Sequence, residues 1–322
     1  MHLLNRLQPD NQTNKTHKRN PMKSGILSIN KPEGISSARV VARVKKALGA
    51  KKVGHTGTLD PFATGLLLCG INQGTRISRF FLDGHKRYSA RICLGVETDT
   101  YDLTGETVHA APQNVMDNLR IRDVEDVVTS FIGIQDQVPP AFSALKHEGQ
   151  PLYKLARQGK KIQKPPRRIE IFDIHINSIK LPYIDIEVFC SSGTYIRSIA
   201  FDIGRRLGCG AHLSRLCRTQ SSAFKLEDAI ELDTLESIDK ITAEQRIVSL
   251  SDCLEFLPEA VVEKSIAQKV RFGQKLLKKD IGITLENPDK LIRVTDDKND
   301  LLAIIQLSEN QQTYNYSCVF SS

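Results

Sequence analysis

Between Gly54 and Gly65 the chain reads GHTGTLDPFATG, a stretch that restricts its own backbone more than any regular element would. Pro61 fixes its own φ and pushes Asp60 out of the helical region. Gly54, Gly57 and Gly65 permit tight turns or close backbone approach. The segment holds too few aliphatic residues for a core strand, and a simple surface loop has no use for such constraint. It therefore predicts a rigid loop presenting one carboxylate, Asp60, beside His55, Thr56 and Thr58. Taken alone it admits two uses: an Asp-Pro turn in which Asp60 bonds a backbone amide, or a carboxylate held for chemistry. A phosphate loop is excluded, because G-x-x-x-x-G-K-[ST] occurs nowhere in the chain.

Elements alternate on both sides of this loop. Ile26, Leu27 and Ile29 predict a short strand stopped by Lys31-Pro32, after which Ser36 or Ser37 caps a helix. Val40, Val41, Val44 and Leu48 recur at helical spacing, and Gly49 stands where a C′ glycine belongs. GTRISRFFLDG predicts a short helix capped by Thr75. RYSARICLG alternates, with Tyr88, Ala90, Ile92 and Leu94 on one face, which predicts a half-buried strand. RDVEDVVTSFIG is an amphipathic helix through Val124, Val127, Val128 and Phe131, and RRIEIFDIHI and YIDIEVFCSSG are further strands. A helix beginning near Thr194 carries Ile196, Ile199, Ile203 and Leu207 and ends at Gly208. The fold class is thus α/β (α+β).

Residues 1–22 are polar with little apolar patterning and predict a disordered tail. The pattern weakens around Asp239–Ser251, and from Leu254 the runs KLIRVTD, LLAIIQL and YNYSCVF predict a separate small β domain over residues 254–322. Residues 23–250 then form the main domain.

The balance of charges narrows the partners. A net charge of +8 and a pI near 9.1 favour a polyanion such as nucleic acid. Arg39, Arg43, Lys45, Lys46, Lys51 and Lys52 precede the glycine loop, and Lys154, Arg157, Lys160, Lys161, Lys164, Arg167 and Arg168 form a second cluster. Either cluster alone also reads as a solvated helix face. Seven scattered cysteines without a C-x-x-C pair argue against a disulfide scaffold or a zinc ribbon, and Cys209 with His212 lacks a second pair of ligands. No apolar run approaches the ~18 residues of a membrane helix, and the N-terminus lacks the apolar core of a signal peptide, so a cytoplasmic location without membrane partners is expected.

GHTGTLDPFATG, preceded by INKPEGISS, resembles the motifs of the TruB family of tRNA pseudouridine synthases, bacterial type. The resemblance continues in order through KRYSARICLG, VETDTYDLTGE, PPAFSALKHEGQPLYKLARQGK and SSGTYIRSIAFDIGRRLGCGAHLSRL, about residues 24–225. It implies a pseudouridine-synthase-like mixed sheet flanked by helices, with a C-terminal domain of PUA-like type.

For individual residues the resemblance implies that Asp60 is the essential aspartate. It would act on ribose or base, as nucleophile or as base, to break the N-glycosidic bond before the uracil rotates and rejoins through carbon. His55 matches a histidine that contacts RNA and helps flip the loop, Tyr88 the tyrosine that stacks on the target base, and Tyr195 a pocket tyrosine. Arg197 matches the arginine that pairs with the aspartate, Leu216 an apolar wall residue, and Lys31 of KPEG a support of the active-site loop. Two departures stand out: LCRT places Cys217 where the family usually has arginine, leaving Arg218, and QSSAF lacks a glycine often found there. Taken one at a time, Tyr88 reads as a core residue, His55 as a loop hydrogen-bonder and Arg197 as a surface charge. Their joint presence in matching motifs assigns them to a site.

The implied substrate is uridine 55 in the T loop of tRNA, bound as a T-arm stem-loop by a monomer without cofactor, metal or guide RNA. A guide-dependent synthase is disfavoured by the bacterial wording of the motifs. An RNA chaperone without catalysis is disfavoured by intact Asp60, Tyr88 and Arg197. A glycosidase would want two carboxylates flanking the bond; Asp99 and Asp102 could be offered, but TDTYD matches a family loop.

Overall fold

Strand β1 (Gly25–Lys31) and strand β2 (Thr64–Ile71) form an antiparallel pair that is apolar on both faces. Leu27, Ile29, Leu67 and Cys69 pack against helix α1 (Ser37–Leu48), while Ile26, Leu66 and Leu68 point the other way into a second cluster. Period-two side chains buried on both sides need apolar residues at every position, hence the run GLLLCGI. The computed structural model describes residues 22–283 and 290–320. Of the stretch read as a tail, residues 1–21 lie outside the described residues, and Met22 packs against the cluster beneath α1.

The main path of the sheet continues through β3 (Lys86–Leu94), β4 (Gly133–Gln137), β5 (Arg167–Lys180), β6 (Tyr183–Cys190), β7 (Ala211–Ser221) and β8 (Ile230–Glu231), and three short strands pair off it. Their order is β8-β1-β2-β7-β3-β6-β5-β4. Neighbours are antiparallel except β8 with β1 and a short parallel contact of β7 with β2, where Cys217 meets Thr64 and Arg218 meets Gly65. Strand β3 buries alternate residues from Lys86 to Leu94, as its sequence predicts. Its inner face packs with β5, β6 and β7 against helix α3 (Ile121–Thr129) and helix α4 (Ile196–Arg206) around Val124, Val128, Ile196, Ile199 and Ile203.

Of the expected caps, one fails. Ser36 caps α1 by accepting from the Arg39 N–H, which leaves Ser37 free for another task. Thr75 caps no helix: its hydroxyl donates to the Asn72 carbonyl within a 3-10 turn, and helix α2 is only Arg79–Leu82. Thr194 lies before α4 and donates to the Ser191 carbonyl.

The C-terminal runs do form a five-stranded sheet, β9 (Glu259–Val261), β10 (Leu276–Leu277), β11 (Ile292–Thr295), β12 (Leu301–Leu307) and β13 (Thr313–Val319), in the order β9-β11-β12-β13-β10. Helix α5 (Lys264–Arg271) was not foreseen, although Ala267 and Val270 supply its buried stripe. This sheet has its own core around Val294 and Ile305. It also shares a cluster with the main sheet, in which Leu254, Leu257, Leu301, Ile304 and Phe320 meet Ile26, Leu66, Leu68, Ile77 and Phe81. Among the described residues no helix is long and apolar enough to cross a membrane, and no group of three or more His, Cys, Asp or Glu could hold a metal ion.

Candidate active site

The glycine loop leaves a short strand, Val53–His55, which pairs with β2. Its backbone is then fixed at successive carbonyls. Arg218, fully inside the protein, donates from Nε to the Leu66 carbonyl at 2.7 Å and from Nη2 to the Gly57 carbonyl at 3.2 Å. Ser37 exchanges two bonds with Leu59, donating to its carbonyl at 2.9 Å and accepting from its N–H at 2.8 Å. The Pro61 carbonyl accepts from Lys31 Nζ at 3.1 Å and from the Gly34 N–H at 2.8 Å. Gly57 and Gly65 adopt φ of 109° and 97°, and a Cβ on Gly65 would stand 2.4 Å from the Arg218 carbonyl oxygen. Gly54, by contrast, has room for a side chain and no positive φ, so the loop does not require glycine there.

Asp60 sits at the centre of these restraints, and its partner is Arg197 near the start of α4. Arg197 Nε lies 2.9 Å from Asp60 Oδ2, and Nη2 donates to Oδ1 at 3.2 Å. The guanidinium is buried and its other donors are used: Nη2 bonds the Phe142 carbonyl at 2.8 Å and Nη1 the Thr100 carbonyl at 2.9 Å. Nη1 also lies 3.4 Å from Oδ2 of buried Asp102. Burial pushes the Asp60 carboxyl above the ordinary aspartate range, Asp102 adds to this, and Arg197 and Lys31 pull it back. Lys31 is completely buried, and desolvation lowers its pKa to about 8.

The carboxylate faces a cavity of about 350 Å³, within the size range of ligand clefts. Tyr88 on β3 and Leu216 on β7, diagonal to each other across the strand pair, form one wall, and Tyr195 forms another. Tyr88 is 9% exposed, so its ring edges the cavity from the core rather than standing free. The Gln137 side chain holds the Tyr195 backbone by two bonds, of 2.7 and 3.0 Å. The Arg167 guanidinium lies 4.5 Å from the centre of the Tyr195 ring and has no carboxylate partner among the described residues. Lys86 projects its ammonium onto the Phe81, Leu82 and Gly84 carbonyls at the end of α2, and burial lowers its pKa to about 8.

The fold therefore brings together Asp60, Tyr88, Tyr195, Arg197 and Leu216, with Lys31 and Arg218 behind the loop. His55 lies outside the cavity wall; its Nδ1 is buried without a partner, and burial followed by the Arg218 charge lowers its pKa. Asp102 was passed over in the sequence as part of a loop, yet it is a second carboxylate on Arg197. It accepts from Thr100 and Thr104, the Thr104 N–H among them at 2.9 Å, the pattern of an Asx turn. The signal available was the turn-forming spacing of TDTYDLTG. Of the basic residues, Arg43 is taken up by Asp233 and Glu236 and Lys161 by Asp99, whereas Arg167 faces the cavity.

Residues 45–196 match the N-terminal domain of the TruB family pseudouridylate synthases, and residues 197–261 match the tRNA pseudouridylate synthase B C-terminal domain. The tRNA pseudouridine synthase B of Geobacter sulfurreducens is 44% identical over 258 residues, 80% of this chain and 84% of that protein. The chain belongs to the TruB family. Its Thermotoga maritima relative of the same name is 41% identical over 293 residues, 90% of this chain and 92% of the other. A solved Cbf5-Nop10-Gar1 complex contains a chain with a TM-score of 0.67 at 26% identity, covering 92% of this chain and 85% of that one. A chain of an archaeal box H/ACA sRNP Nop10-Cbf5 complex shares the fold, with a TM-score of 0.69 at 23% identity over 94% of this chain and 89% of that one. The fold is thus a pseudouridine-synthase mixed sheet with a PUA-like C-terminal β module. The first TruB match contains Asp60, Tyr88 and Tyr195; the second opens at Arg197 and contains Leu216 and Arg218.

Proposed function

We propose that this protein isomerises uridine 55 in the T loop of tRNA to pseudouridine, with Asp60 as the essential carboxylate. The observation that carries this reading is a single carboxylate on a rigid loop, gripped at both oxygens by a buried arginine and facing a cavity edged by two tyrosines. The TruB motifs supply the position 55, and the relatives' names supply tRNA.

The reaction breaks the bond from ribose C1′ to uracil N1 and forms one from C1′ to C5; N1 gains a proton and C5 gives one up. The target base must first leave its stack, which costs a few kcal/mol, and stacking on an aromatic ring returns ~1–3 kcal/mol. Tyr88 and Tyr195 are the rings available. Whether Asp60 attacks C1′ as nucleophile or removes a proton as base, it must be ionised, and Arg197 favours that form. His55, outside the cavity wall, is assigned to RNA contact and loop flipping rather than to chemistry. Arg167, unpaired at the cavity edge, suits a phosphate of the flipped nucleotide. The bacterial wording of the motifs supports a monomer that works without guide RNA.

Purified protein incubated with an unmodified T-arm stem-loop should yield pseudouridine at the position equivalent to 55, without added RNA or cofactor. Asp60→Asn should abolish conversion while RNA binding persists. Conversion by Asp60→Asn within about tenfold of wild type, a barrier change of only ~1.4 kcal/mol, would sink the assignment. Dependence on an added RNA, or activity lost to EDTA and restored by one cation, would contradict the stand-alone reading.

A further inference from the structure

Arg197, Phe201 and Arg205 lie one helical turn apart on α4 and face a single short segment, residues 97–102. At one end Arg197 bonds the Thr100 carbonyl and approaches Asp102. At the other, exposed Arg205 spans the buried carboxylate of Glu97, with Nε to Oε2 at 3.0 Å and Nη2 to Oε1 at 2.9 Å. Between them the Phe201 ring stacks on Tyr101, with centroids 4.0 Å apart and planes 23° from parallel, and the Arg205 guanidinium lies 5.1 Å from the centre of the same Phe201 ring. Tyr101 reaches this position in the left-handed region, at φ 63°. A bulky residue persists there only where its surroundings hold it.

The flanking residues of Tyr101 both contact Arg197. We propose that Tyr101 is a positioning residue: its stack on Phe201 holds the 97–102 segment so that the Thr100 carbonyl and the Asp102 carboxylate orient Arg197, and through it Asp60. Neither aromatic ring lines the Asp60 cavity, so their effect passes through Arg197 and the Asp102 charge. The charged and titratable groups around Asp60 are Arg197 from α4, Asp102 from the segment and Lys31 from β1, with Lys86, Arg167, Tyr88 and Arg218 on the cavity wall. A loosened Arg197 would leave burial and Asp102 pushing the Asp60 carboxyl upward, opposed mainly by Lys31.

The consequence for turnover rests on the function proposed above; the consequence for the Asp60 carboxyl does not. The test compares full-length wild type with Tyr101→Asn, Tyr101→Phe and Phe201→Leu. Asp60 is titrated by carbon-13 NMR of its carboxyl, and melting temperature, T-arm affinity and single-turnover rate are measured alongside. Asparagine accepts the left-handed backbone readily, so Tyr101→Asn should melt at or above wild type. Its Asp60 titration should nevertheless move to higher pH, and its rate should fall at least about tenfold with affinity within about twofold. Phe201→Leu should shift the titration in the same direction with a lower melting temperature, and Tyr101→Phe should match wild type. An unmoved Asp60 titration in Tyr101→Asn would overturn the proposal, as would parallel loss of stability and rate in that variant. If wild type converts no uridine, the functional reading fails, and the titration still decides the positioning role.

Discussion

Arg197 answers to two carboxylates, and its value to the site lies in that division. Asp60 lies against Nε and accepts from Nη2, the Phe142 and Thr100 carbonyls accept from Nη2 and Nη1, and the Asp102 carboxylate stands 3.4 Å from Nη1, so contacts on every side oppose rotation of the guanidinium. Asp102→Asn keeps the shape and removes the charge. It should lower the single-turnover rate by roughly tenfold or more, about 1.4 kcal/mol of barrier, with T-arm affinity within about twofold. An unchanged rate would show that the Thr100 and Phe142 carbonyls suffice. Lys31 offers a second measurement. Its folded pKa of about 8 lies below the ordinary lysine value of 10.5, so the folded protein sheds this proton while the unfolded chain still holds it. The Lys31 contribution to stability therefore rises as pH increases from about 8 towards 10.5, by at most ~1.4 kcal/mol per pH unit. Urea unfolding of wild type and Lys31→Met should give a difference that is constant below pH 8 and grows in favour of wild type above it. Buried thiols such as Cys69, raised to about 12, act in the opposite sense but are common to both proteins. A difference that stays flat across the range would show that Lys31 is solvated.

At the scale of elements, the site exists because β2 and β7 run side by side for only two residue pairs, next to the end of the glycine loop. Gly65 is the contact point. An added methyl group would meet the Arg218 backbone at 2.4 and 2.8 Å, and φ of 97° is itself strained for any other residue. Gly65→Ala should cost about 2 kcal/mol or more and should depress conversion beyond what the lost folded fraction explains, since it parts Arg218 from the loop. Calorimetry with a rate corrected for folded protein checks this; a stable, fully active variant would show that the junction can open. Element-level legibility followed pattern strength. The alternation of β3 and the 3.6-residue periodicity of α1 and α4 were legible because each buries one face. The Thr75 cap was misplaced because its hydroxyl found a nearby carbonyl instead of a helix N–H group. Helix α5 was hidden by its brevity within a run of strands.

For the whole molecule, the decisive feature is the cluster joining the two sheets. Leu66 and Phe81 from the main sheet side and Ile304 and Phe320 from the C-terminal side are buried in one body of apolar contacts. The C-terminal sheet is therefore expected to melt with the main sheet in a single transition. Leu66→Ala and Ile304→Ala, each expected to cost roughly 2–5 kcal/mol, should both lower that transition. Two transitions, of which each variant moves only one, would show that the sheets unfold separately. Because Phe81 belongs to helix α2, whose carbonyls Lys86 binds at the cavity edge, loss of the C-terminal sheet should also disturb the site.

What the sequence alone determined is what is local: the constrained loop around Asp60, the faces of strands and helices, and the ordered motifs that placed Tyr88, Tyr195, Arg197 and Leu216 in one site. These depend on φ restrictions and side-chain periodicity, which act over a few residues. Only the tertiary structure decided that Asp102 lies against Arg197, that Ser37 holds Leu59, that His55 stays off the cavity wall, and that the C-terminal sheet completes a core begun at Ile26. Each of these joins residues from 22 to nearly 300 positions apart. Such pairings are set by how strands are ordered in a sheet and which faces then need covering, and no local pattern records that order.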